Sequence, residues 1–246
     1  MKRIIIVGAS SGIGYKMASD FARVGCKVGI AARREEPLKK LAAKYPDRVV
    51  YTTLDVTQPS AVTKFYDLIE ANGGMDFLVY SAGVGFNDPA VTDARITDMV
   101  GVNALGMARI TAAAYRYYKE TANVRPGHIA VITSVAGVQA IGTAAAYSAT
   151  KAFEQRFLTA LEQLANQQEV NVRFTDIRPG FVRTPLLDPS VDYPMIMSVD
   201  YAAPLIEKAV LRAPRVAYID SRWGIIARAW KLIPTCLWTR MSLASL

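Results

Sequence analysis

Histidine and cysteine are scarce in this sequence, which has one histidine and two cysteines among 246 residues. The cysteines, Cys26 and Cys236, stand far apart and without the spacing of a metal site. We therefore predict no metal site, and we infer a reducing, cytoplasmic setting from the unpaired thiols. The single histidine, His128, stands where a strand is expected to begin, so we assign it no catalytic role.

Long hydrophobic runs are also missing. The first apolar run, residues 4–7, ends at Gly8 and is too short for a signal-peptide core or a membrane span. We therefore expect the fold to begin at the start of the chain. The sequence has no internal repeat, low-complexity segment or linker rich in proline, glycine and serine. With 52% hydrophobic and 20% charged residues, the composition predicts a single domain over 1–246 with a sizeable core.

Short runs rich in β-branched residues alternate with helix-length segments along the chain. The strands are predicted at 3–7, 27–31, 49–54, 77–80, 128–133, 171–177 and 216–219. The helices are predicted at 13–24, 35–45, 61–72, 93–120, 146–165 and 199–211. Such alternation is typical of right-handed crossover units. The pattern predicts an α/β fold with a doubly wound, Rossmann-like parallel sheet of about seven strands and helices on both faces.

A glycine-rich loop follows the first predicted strand and reads Gly8-Ala9-Ser10-Ser11-Gly12-Ile13-Gly14. A pyrophosphate can approach the N-terminus of the next helix only if the preceding turn is tight and free of obstructing side chains. The spacing differs from the commoner dinucleotide fingerprint. We interpret this loop as a cofactor cradle, the alternative being a strand–helix turn without a ligand.

Two arginines, Arg33 and Arg34, follow the second predicted strand. Sheets that bind NAD usually carry an acid near this strand end, where it holds the ribose 2′-hydroxyl. Ala32 stands at that position here, and a guanidinium suits a 2′-phosphate. The sequence therefore favours NADP(H) over NAD(H). The alternative is that the arginines only begin a solvated helix.

The candidate reactive group is Tyr147, four residues before Lys151 at the start of a predicted helix. Positions i and i+4 share one helix face, and a nearby cation favours the phenolate form of a tyrosine. Ser134 follows the fifth predicted strand, where open α/β sheets place their ligands. Asn103 lies in the long fourth helix, where an amide normally faces water; the alternative is that it holds a water feeding protons to Lys151.

With these motifs the chain resembles the short-chain dehydrogenase/reductase family over about residues 3–190. The resemblance rests on several segments beyond the glycine loop: Leu54-Asp55-Val56, Ser81-Ala82-Gly83, Asn103, Ile132-Thr133-Ser134, Tyr147-x-x-x-Lys151, and Pro179-Gly180-Phe181-Val182-Arg183-Thr184-Pro185. It implies that the catalytic tetrad is Asn103, Ser134, Tyr147 and Lys151. One mild departure is Ser81, which replaces the family's usual asparagine and is expected to loosen the contacts between central strands.

The resemblance also implies where the cofactor is held. Asp55 and Val56 should hold the adenine, although Asp55 could instead close a strand while Thr57 caps the next helix. Lys151 should also bind the nicotinamide ribose beside Tyr147. The full set of expected cofactor contacts is Gly8, Ser10, Ser11, Gly12, Ile13, Gly14, Arg33, Arg34, Asp55, Val56, Ser81, Ala82, Gly83, Tyr147, Lys151, Pro179, Gly180, Val182 and Thr184.

Assembly into a homodimer or homotetramer is a further implication of the resemblance. The helices around Asn103 and over 152–165 are the expected interface. The second helix offers an apolar stripe of Phe153, Phe157, Leu161 and Leu164. Some of these side chains must also face the sheet, so the stripe alone does not establish association.

The C-terminal end, residues 222–246, is predicted to be a basic, tryptophan-rich extension. Residues 208–246 contain seven basic side chains and one acid, Asp220, which gives +6 of the net charge of +8. All three tryptophans, Trp223, Trp230 and Trp238, lie in this part of the chain. We expect a helix packed on the enzyme body or on a twin subunit, the alternative being a peripheral membrane contact through 222–241. Nucleic-acid binding through the basic tail is a further alternative, but only charge and tryptophan support it, and both suit a membrane surface equally. We expect no nucleic-acid partner.

These features predict an NADP(H)-dependent oxidoreductase that interconverts a carbonyl and an alcohol, with reduction of a lipophilic small molecule favoured. Residues 186–198 are expected to cover the site. Within the same chemistry, the alternative is a ketoreductase of the 3-oxoacyl-acyl-carrier-protein type, since an acidic carrier suits a basic surface. An alternative from another class is a sensor that binds NADP(H) without turnover. Such a sensor needs no complete tetrad, so the intact set argues against it.

Overall fold

The computed structural model describes residues 1–85, 87–121 and 126–241, and within them seven strands form one parallel sheet. The strands are β1 (Arg3–Val7), β2 (Lys27–Ala32), β3 (Val49–Thr53), β4 (Phe77–Tyr80), β5 (Gly127–Ile132), β6 (Val172–Pro179) and β7 (Val216–Ile219). Their order is β3-β2-β1-β4-β5-β6-β7. The direction of winding reverses between β1 and β4, and ligands of such sheets bind at this switch point. The predicted doubly wound fold is confirmed.

Helices cover both faces of the sheet. They are α1 (Gly12–Arg23), α2 (Glu35–Lys44), α3 (Ala61–Ala71), α4 (Asp93–Met99), α5 (Met107–Glu120), α6 (Ala145–Gln167), α7 (Val199–Arg212), α8 (Ser221–Leu232) and α9 (Thr235–Trp238). Side chains of β1 alternate between two cores: Ile5 and Val7 join the side of α3, α5 and α6, while Ile4 and Ile6 join the side of α1, α2 and α7. Burial on both faces explains why the strand is an unbroken apolar run.

The long helix predicted at 93–120 is interrupted. A π-helical turn over Val100–Gly106 separates α4 from α5 and contains Asn103. An added Cβ at Gly106 would overlap the side chain of Val56, so this turn passes very close to the loop after β3. Helical periodicity in the sequence does not reveal such a widened turn, which often marks a functional site.

One detail near the strands differs from the sequence-based expectations. Thr57 caps no helix, because α3 begins at Ala61 after Ser60; its backbone N–H and hydroxyl instead donate to Asp55. The backbone N–H of Ser81 donates to the carbonyl oxygen of Val7 at 2.8 Å, which joins the segment after β4 to β1. The expected effect of the Ser81 side chain on the central strands stays a prediction.

The tail packs on the enzyme body through its tryptophans. Trp223 is fully buried, and it makes an edge contact with Trp230, which in turn makes one with Trp238. The cluster includes Val135 and packs against Phe181, and the Trp238 indole N–H donates to the carbonyl oxygen of Ala140 at 2.7 Å. Residues 242–246 of the predicted extension lie outside the described residues. Across the described ranges, no helix has both the length and the apolar character needed to cross a bilayer.

Candidate active site

The predicted site residues gather at the carboxyl edge of the sheet, in loops after six of its strands and on α6. The glycine loop follows β1, Arg33 and Arg34 follow β2, Asp55 and Val56 follow β3, Ser81 to Gly83 follow β4, and Ser134 follows β5. Pro179 ends β6, and Gly180, Val182 and Thr184 come after it. Tyr147 and Lys151 lie in α6, and Asn103 lies in the π-helical turn.

Two glycines of the loop, Gly8 and Gly14, have no room for a side chain. Gly8 has φ +96°, and an added Cβ would overlap the backbone of Ala82. An added Cβ at Gly14 would overlap the carbonyl oxygen of Gly8. The loop therefore lies directly against the segment after β4.

The N-terminus of α1 is open to a ligand. Ser11 precedes the helix, but its hydroxyl makes no capping hydrogen bond. That side chain therefore leaves the first-turn N–H groups uncapped, and together with the helix dipole they favour a phosphate. A Cβ added at Gly12 would lie 3.1 Å from Cγ2 of Thr184, so the segment after β6 passes directly over this loop. These features fit a dinucleotide pyrophosphate.

The two arginines after β2 occupy different surroundings. Arg34 reaches back to the glycine loop and donates to the Ser10 hydroxyl at 3.0 Å and to the Ser11 hydroxyl at 2.7 Å. Arg33 is exposed and acts electrostatically on Asp55. Burial raises the pKa of Asp55, but hydrogen bonds from Thr57 and the charge of Arg33 outweigh it, so the pKa lies below its ordinary value. Two cations therefore stand at the carboxyl end of β2, one of them bonded to the glycine loop.

The side chain of Asn103 is fully buried and does not face water, contrary to the ordinary expectation for a helix amide. Its Nδ2 donates to the carbonyl oxygen of Val84 at 2.8 Å and to the Thr150 hydroxyl at 3.0 Å. Its Oδ1 accepts from the backbone N–H of Val84 at 2.9 Å. The amide thus joins the loop after β4 to α6.

Tyr147 and Lys151 lie next to each other on α6, as the i, i+4 spacing predicts. The Lys151 ammonium is 5.7 Å from the centroid of the Tyr147 ring. A Cβ added at Gly83 would lie 3.6 Å from Lys151 Nζ and 3.5 Å from Asn103 Oδ1, so these two side chains meet beside the loop after β4. Tyr147 is half-buried, which leaves part of its ring accessible at the cleft.

Ser134 caps a short 3₁₀ turn over Val135–Gly137, and its hydroxyl oxygen accepts from the backbone N–H of Ala136 at 3.1 Å. The hydroxyl hydrogen is not used in that bond. The carbonyl oxygen of Ser134 accepts from Nε2 of Gln155 at 2.8 Å, which fixes this loop to α6. Ser134 can therefore donate to a substrate oxygen from a fixed position.

The segment after β6 extends over the cleft. Arg183 N–H donates to the carbonyl oxygen of Met197 at 2.8 Å, so the two ends of this segment pair with each other. Between them, Leu186 approaches the same glycine, Gly85, that packs under the Tyr147 ring. This placement agrees with the expectation that residues 186–198 cover the site.

Several buried polar residues beside the tetrad were not predicted from the sequence. Glu154 is fully buried, and both of its carboxylate oxygens accept from Lys151 Nζ at 2.9 Å. Burial raises the pKa of Glu154 to about 7, although the charge of Lys151 acts in the opposite direction. Burial lowers the pKa of Lys151, but Glu154 and Tyr147 outweigh it and raise that pKa. Their spacing in the sequence could have indicated them, because Glu154 and Gln155 follow Lys151 at i+3 and i+4 and so share its helix face.

The arrangement is suited to hydride transfer at a carbonyl. It offers a phosphate cradle, a hydroxyl donor at Ser134, and a phenol at Tyr147 beside a fixed cation. No cluster of three histidine, cysteine, aspartate or glutamate side chains that could hold a metal ion is found in residues 1–85, 87–121 and 126–241.

Comparison with known proteins identifies the family. The family model described as "short chain dehydrogenase" matches residues 2–193. A protein of Myxococcus xanthus (strain DK1622) named "Uncharacterized oxidoreductase" is 30% identical over 240 residues, which are 95% of this chain and 93% of that relative. A solved short-chain dehydrogenase from Streptomyces avermitilis has a TM-score of 0.78 and 25% identity, with 93% of this chain and 92% of that chain covered.

A short-chain dehydrogenase from Sphingobium yanoikuyae, solved in complex with NADPH, has the same TM-score of 0.78 at 23% identity and covers 100% of this chain and 98% of its own. At that identity the likeness concerns the fold. Together with the matched family model, these findings confirm the resemblance drawn from the motifs. The chain belongs to the short-chain dehydrogenase/reductase family and is an oxidoreductase that acts on CH–OH groups with a nicotinamide cofactor.

Proposed function

We propose that this enzyme uses NADP(H) to interconvert a carbonyl and an alcohol and that it reduces a lipophilic small molecule. The observation that carries the proposal is that Asn103 and Lys151 both approach the loop after β4, with Tyr147 beside Lys151 and Ser134 fixed to the same helix. A binding protein without turnover has no need of a phenol and a buried cation at that place.

The chemistry follows from the positions of these side chains. NADPH, which the glycine loop with Arg33 and Arg34 would hold, would supply a hydride to the carbonyl carbon. Ser134 donates a hydrogen bond to the carbonyl oxygen, and Tyr147 gives its proton to that oxygen as negative charge develops. Lys151 stabilises the resulting phenolate through its ammonium charge. Asn103 holds the loop after β4 and Thr150 in place, which fixes the start of α6.

The preference for NADP(H) rests on the charge at the end of β2. Arg33 and Arg34 are exposed there, and the Arg34 guanidinium is held over the Ser10 and Ser11 hydroxyls. Asp55 is the nearby acid, and it is engaged by Thr57. A 2′-phosphate would meet two guanidinium groups, so its added charge favours binding.

The apolar character of the cover supports a lipophilic substrate. Leu186 and Val191 are exposed, and Phe181 stacks in a tilted contact on Tyr193 with ring centroids 4.8 Å apart.

A ketoreductase acting on acyl groups of an acidic carrier protein is the alternative within the same chemistry, and the net charge of +8 favours it. A panel of free carbonyls and carrier-bound 3-oxoacyl groups, followed by NADPH absorbance, separates the two. Binding of NADPH without any turnover would instead support the sensor.

The first prediction concerns the proton donor. Tyr147→Phe removes only the phenolic hydroxyl, so turnover should fall by about 10²–10⁴-fold, the usual contribution of a general acid, while NADPH affinity changes little. Steady-state kinetics and NADPH fluorescence titration measure the two effects. Tyr201→Phe, at an exposed tyrosine of α7, is the matched control and should behave as wild type. Turnover of Tyr147→Phe within about tenfold of wild type would contradict the assignment.

The second prediction concerns the cofactor. Arg33→Ala should weaken NADPH binding by about one to two decades, because a charge-assisted contact contributes roughly 1.5–3 kcal/mol, while NADH binding is nearly unchanged. Fluorescence titration with each cofactor measures the ratio. Arg23→Ala, at an exposed arginine ending α1, is the control and should affect neither cofactor. Equal losses for both cofactors would place Arg33 away from the 2′-phosphate.

The third prediction concerns assembly into a homodimer or homotetramer. Leu105 in the π-helical turn and Phe153 and Leu164 on α6 are exposed apolar side chains, which supports an interface there. Leu161 is buried and belongs to the core, so only part of the sequence stripe is available. Light scattering should give a multiple of the 26.8 kDa chain mass. A mass of one chain at micromolar concentration would refute this assembly.

The fourth prediction concerns a peripheral membrane contact through 222–241. Since the tryptophans are buried, the contact would use the outer face of α8 and α9, where Ile225, Leu232 and Leu237 are exposed. The basic side chains on this surface are Arg222, Arg228, Lys231 and Arg240. Exposed apolar groups between cations suit an anionic bilayer surface.

We expect the full chain to sediment with anionic vesicles at low salt and Ile225→Ser/Leu232→Ser to do so less. Val24→Ser, at an equally exposed valine distant in sequence, is the control and should sediment as wild type does. If the full-length protein does not sediment with anionic vesicles at low salt, the membrane contact is excluded.

A further inference from the structure

A buried carboxylate, that of Glu154, pairs with the lysine that lies beside Tyr147. Glu154 and Lys151 are 0% and 3% exposed, and the ammonium donates to both carboxylate oxygens at 2.9 Å. The other hydrogen bond of the Lys151 ammonium goes to the carbonyl oxygen of Ile132 at 3.4 Å. Glu154 is not one of the four tetrad residues, and the reaction as derived above gives it no task.

Other charged and titratable groups approach Glu154 from the neighbouring strands. Asp176 approaches from β6, and Tyr80 approaches from β4. Asp176 is already paired with Arg178 and accepts from the Thr133 hydroxyl. The Tyr80 hydroxyl donates to the carbonyl oxygen of Val102 at 3.1 Å. Neither supplies a positive charge, so Lys151 is the cation in direct contact with this carboxylate.

Stability does not explain the pair. Two charges removed from water lose hydration that their mutual attraction often fails to restore, and apolar residues of similar size frequently stabilise a fold better. The location of the pair has an electrostatic consequence. A lone ammonium would act on Tyr147 with its full charge, whereas an ammonium and a carboxylate 2.9 Å apart act at a distance as a dipole. The stabilisation of a phenolate at Tyr147 is correspondingly weaker.

We propose that Glu154 is a positioning residue that fixes Lys151 and offsets its charge, so that Tyr147 stays protonated and able to reduce a carbonyl over a wider pH range. This rests on the proposed function, in which Tyr147 is the proton donor for reduction. Glu154 is fully buried, so in this proposal it acts through Lys151 and not by direct contact with the substrate. The ion pair thereby biases the site toward the protonated form that reduction requires.

The test compares Glu154→Gln with wild type. Glutamine keeps the shape and one oxygen acceptor but removes the negative charge. Tyrosinate absorbance is titrated in the apoprotein, and the curve of the matching Tyr147→Phe protein is subtracted to isolate Tyr147. In Glu154→Gln the Tyr147 signal should appear about one pH unit lower than in wild type, the size expected for one charge several ångströms away at an effective dielectric constant of about 20.

The matched control is Glu162→Gln, on the same helix, where the carboxylate pairs with Arg215 away from the tetrad. It should leave the Tyr147 titration unchanged. In the active enzyme, the alkaline limb of carbonyl reduction should move down with Glu154→Gln and stay in place with Glu162→Gln. A merely structural role for Glu154 would lower activity at every pH without moving this limb.

A second variant keeps the proposal falsifiable if Glu154→Gln does not fold. Glu154→Asp keeps the negative charge, but its shorter side chain places the carboxylate farther from Lys151. The Tyr147 titration should therefore move to lower pH by less than it does in Glu154→Gln. An unshifted titration in the folded variant, Gln or Asp, overturns the proposal. Because this readout needs no turnover, it is independent of the assigned reaction. Tyr147→Phe with full activity would refute the reaction while leaving the electrostatic effect of Glu154 measurable.

Discussion

The side-chain amide of Asn103 is the contact on which the geometry of the site depends. It bridges the backbone of Val84 after β4 and the hydroxyl of Thr150 on α6, and that hydroxyl donates in turn to the carbonyl oxygen of Tyr147. The amide is fully buried, so each lost partner would leave a polar group unsatisfied at a cost of about 1–3 kcal/mol. The loop after β4 and the start of α6 therefore have one favourable relative position. The π-helical turn places Asn103 where it reaches both.

The tail has a related structural role on the opposite side of the site. Trp223 packs so tightly beside Gly180 that an added Cβ there would overlap the indole ring. The same tryptophan cluster includes Val135, the residue after Ser134. The tail consequently supports both the segment that follows β6 and the loop that carries the serine. It is part of the framework of the site, and only its outer face is left for a partner.

The sequence predicted the features that depend on local chemistry. The seven strands are short apolar runs rich in β-branched residues, the glycine loop is a segment of neighbouring residues, and Tyr147 and Lys151 are one helical turn apart. All three are visible in one dimension. Features that depend on tertiary contacts were not predicted. Helical periodicity is nearly the same across Val100–Gly106, so the sequence predicts a continuous helix where the structure has a π-helical turn. Glu154 reads as an ordinary solvated helix residue, because only the packed sheet reveals that its face of α6 is buried.

Linkage between protonation and folding shows what the buried pair costs. The pKa of Glu154 is raised to about 7 in the folded chain, mainly by burial, and that of Glu207 is raised to about 7 for the same reason. A carboxyl whose folded pKa exceeds its unfolded value binds more protons in the folded state, so its contribution to stability falls as pH rises from the unfolded value toward 7. The folded chain thus gives up stability at neutral pH to keep a carboxylate beside Lys151. A fold can carry such a cost where the charge acts on chemistry, and Tyr147 stands four residues from that lysine.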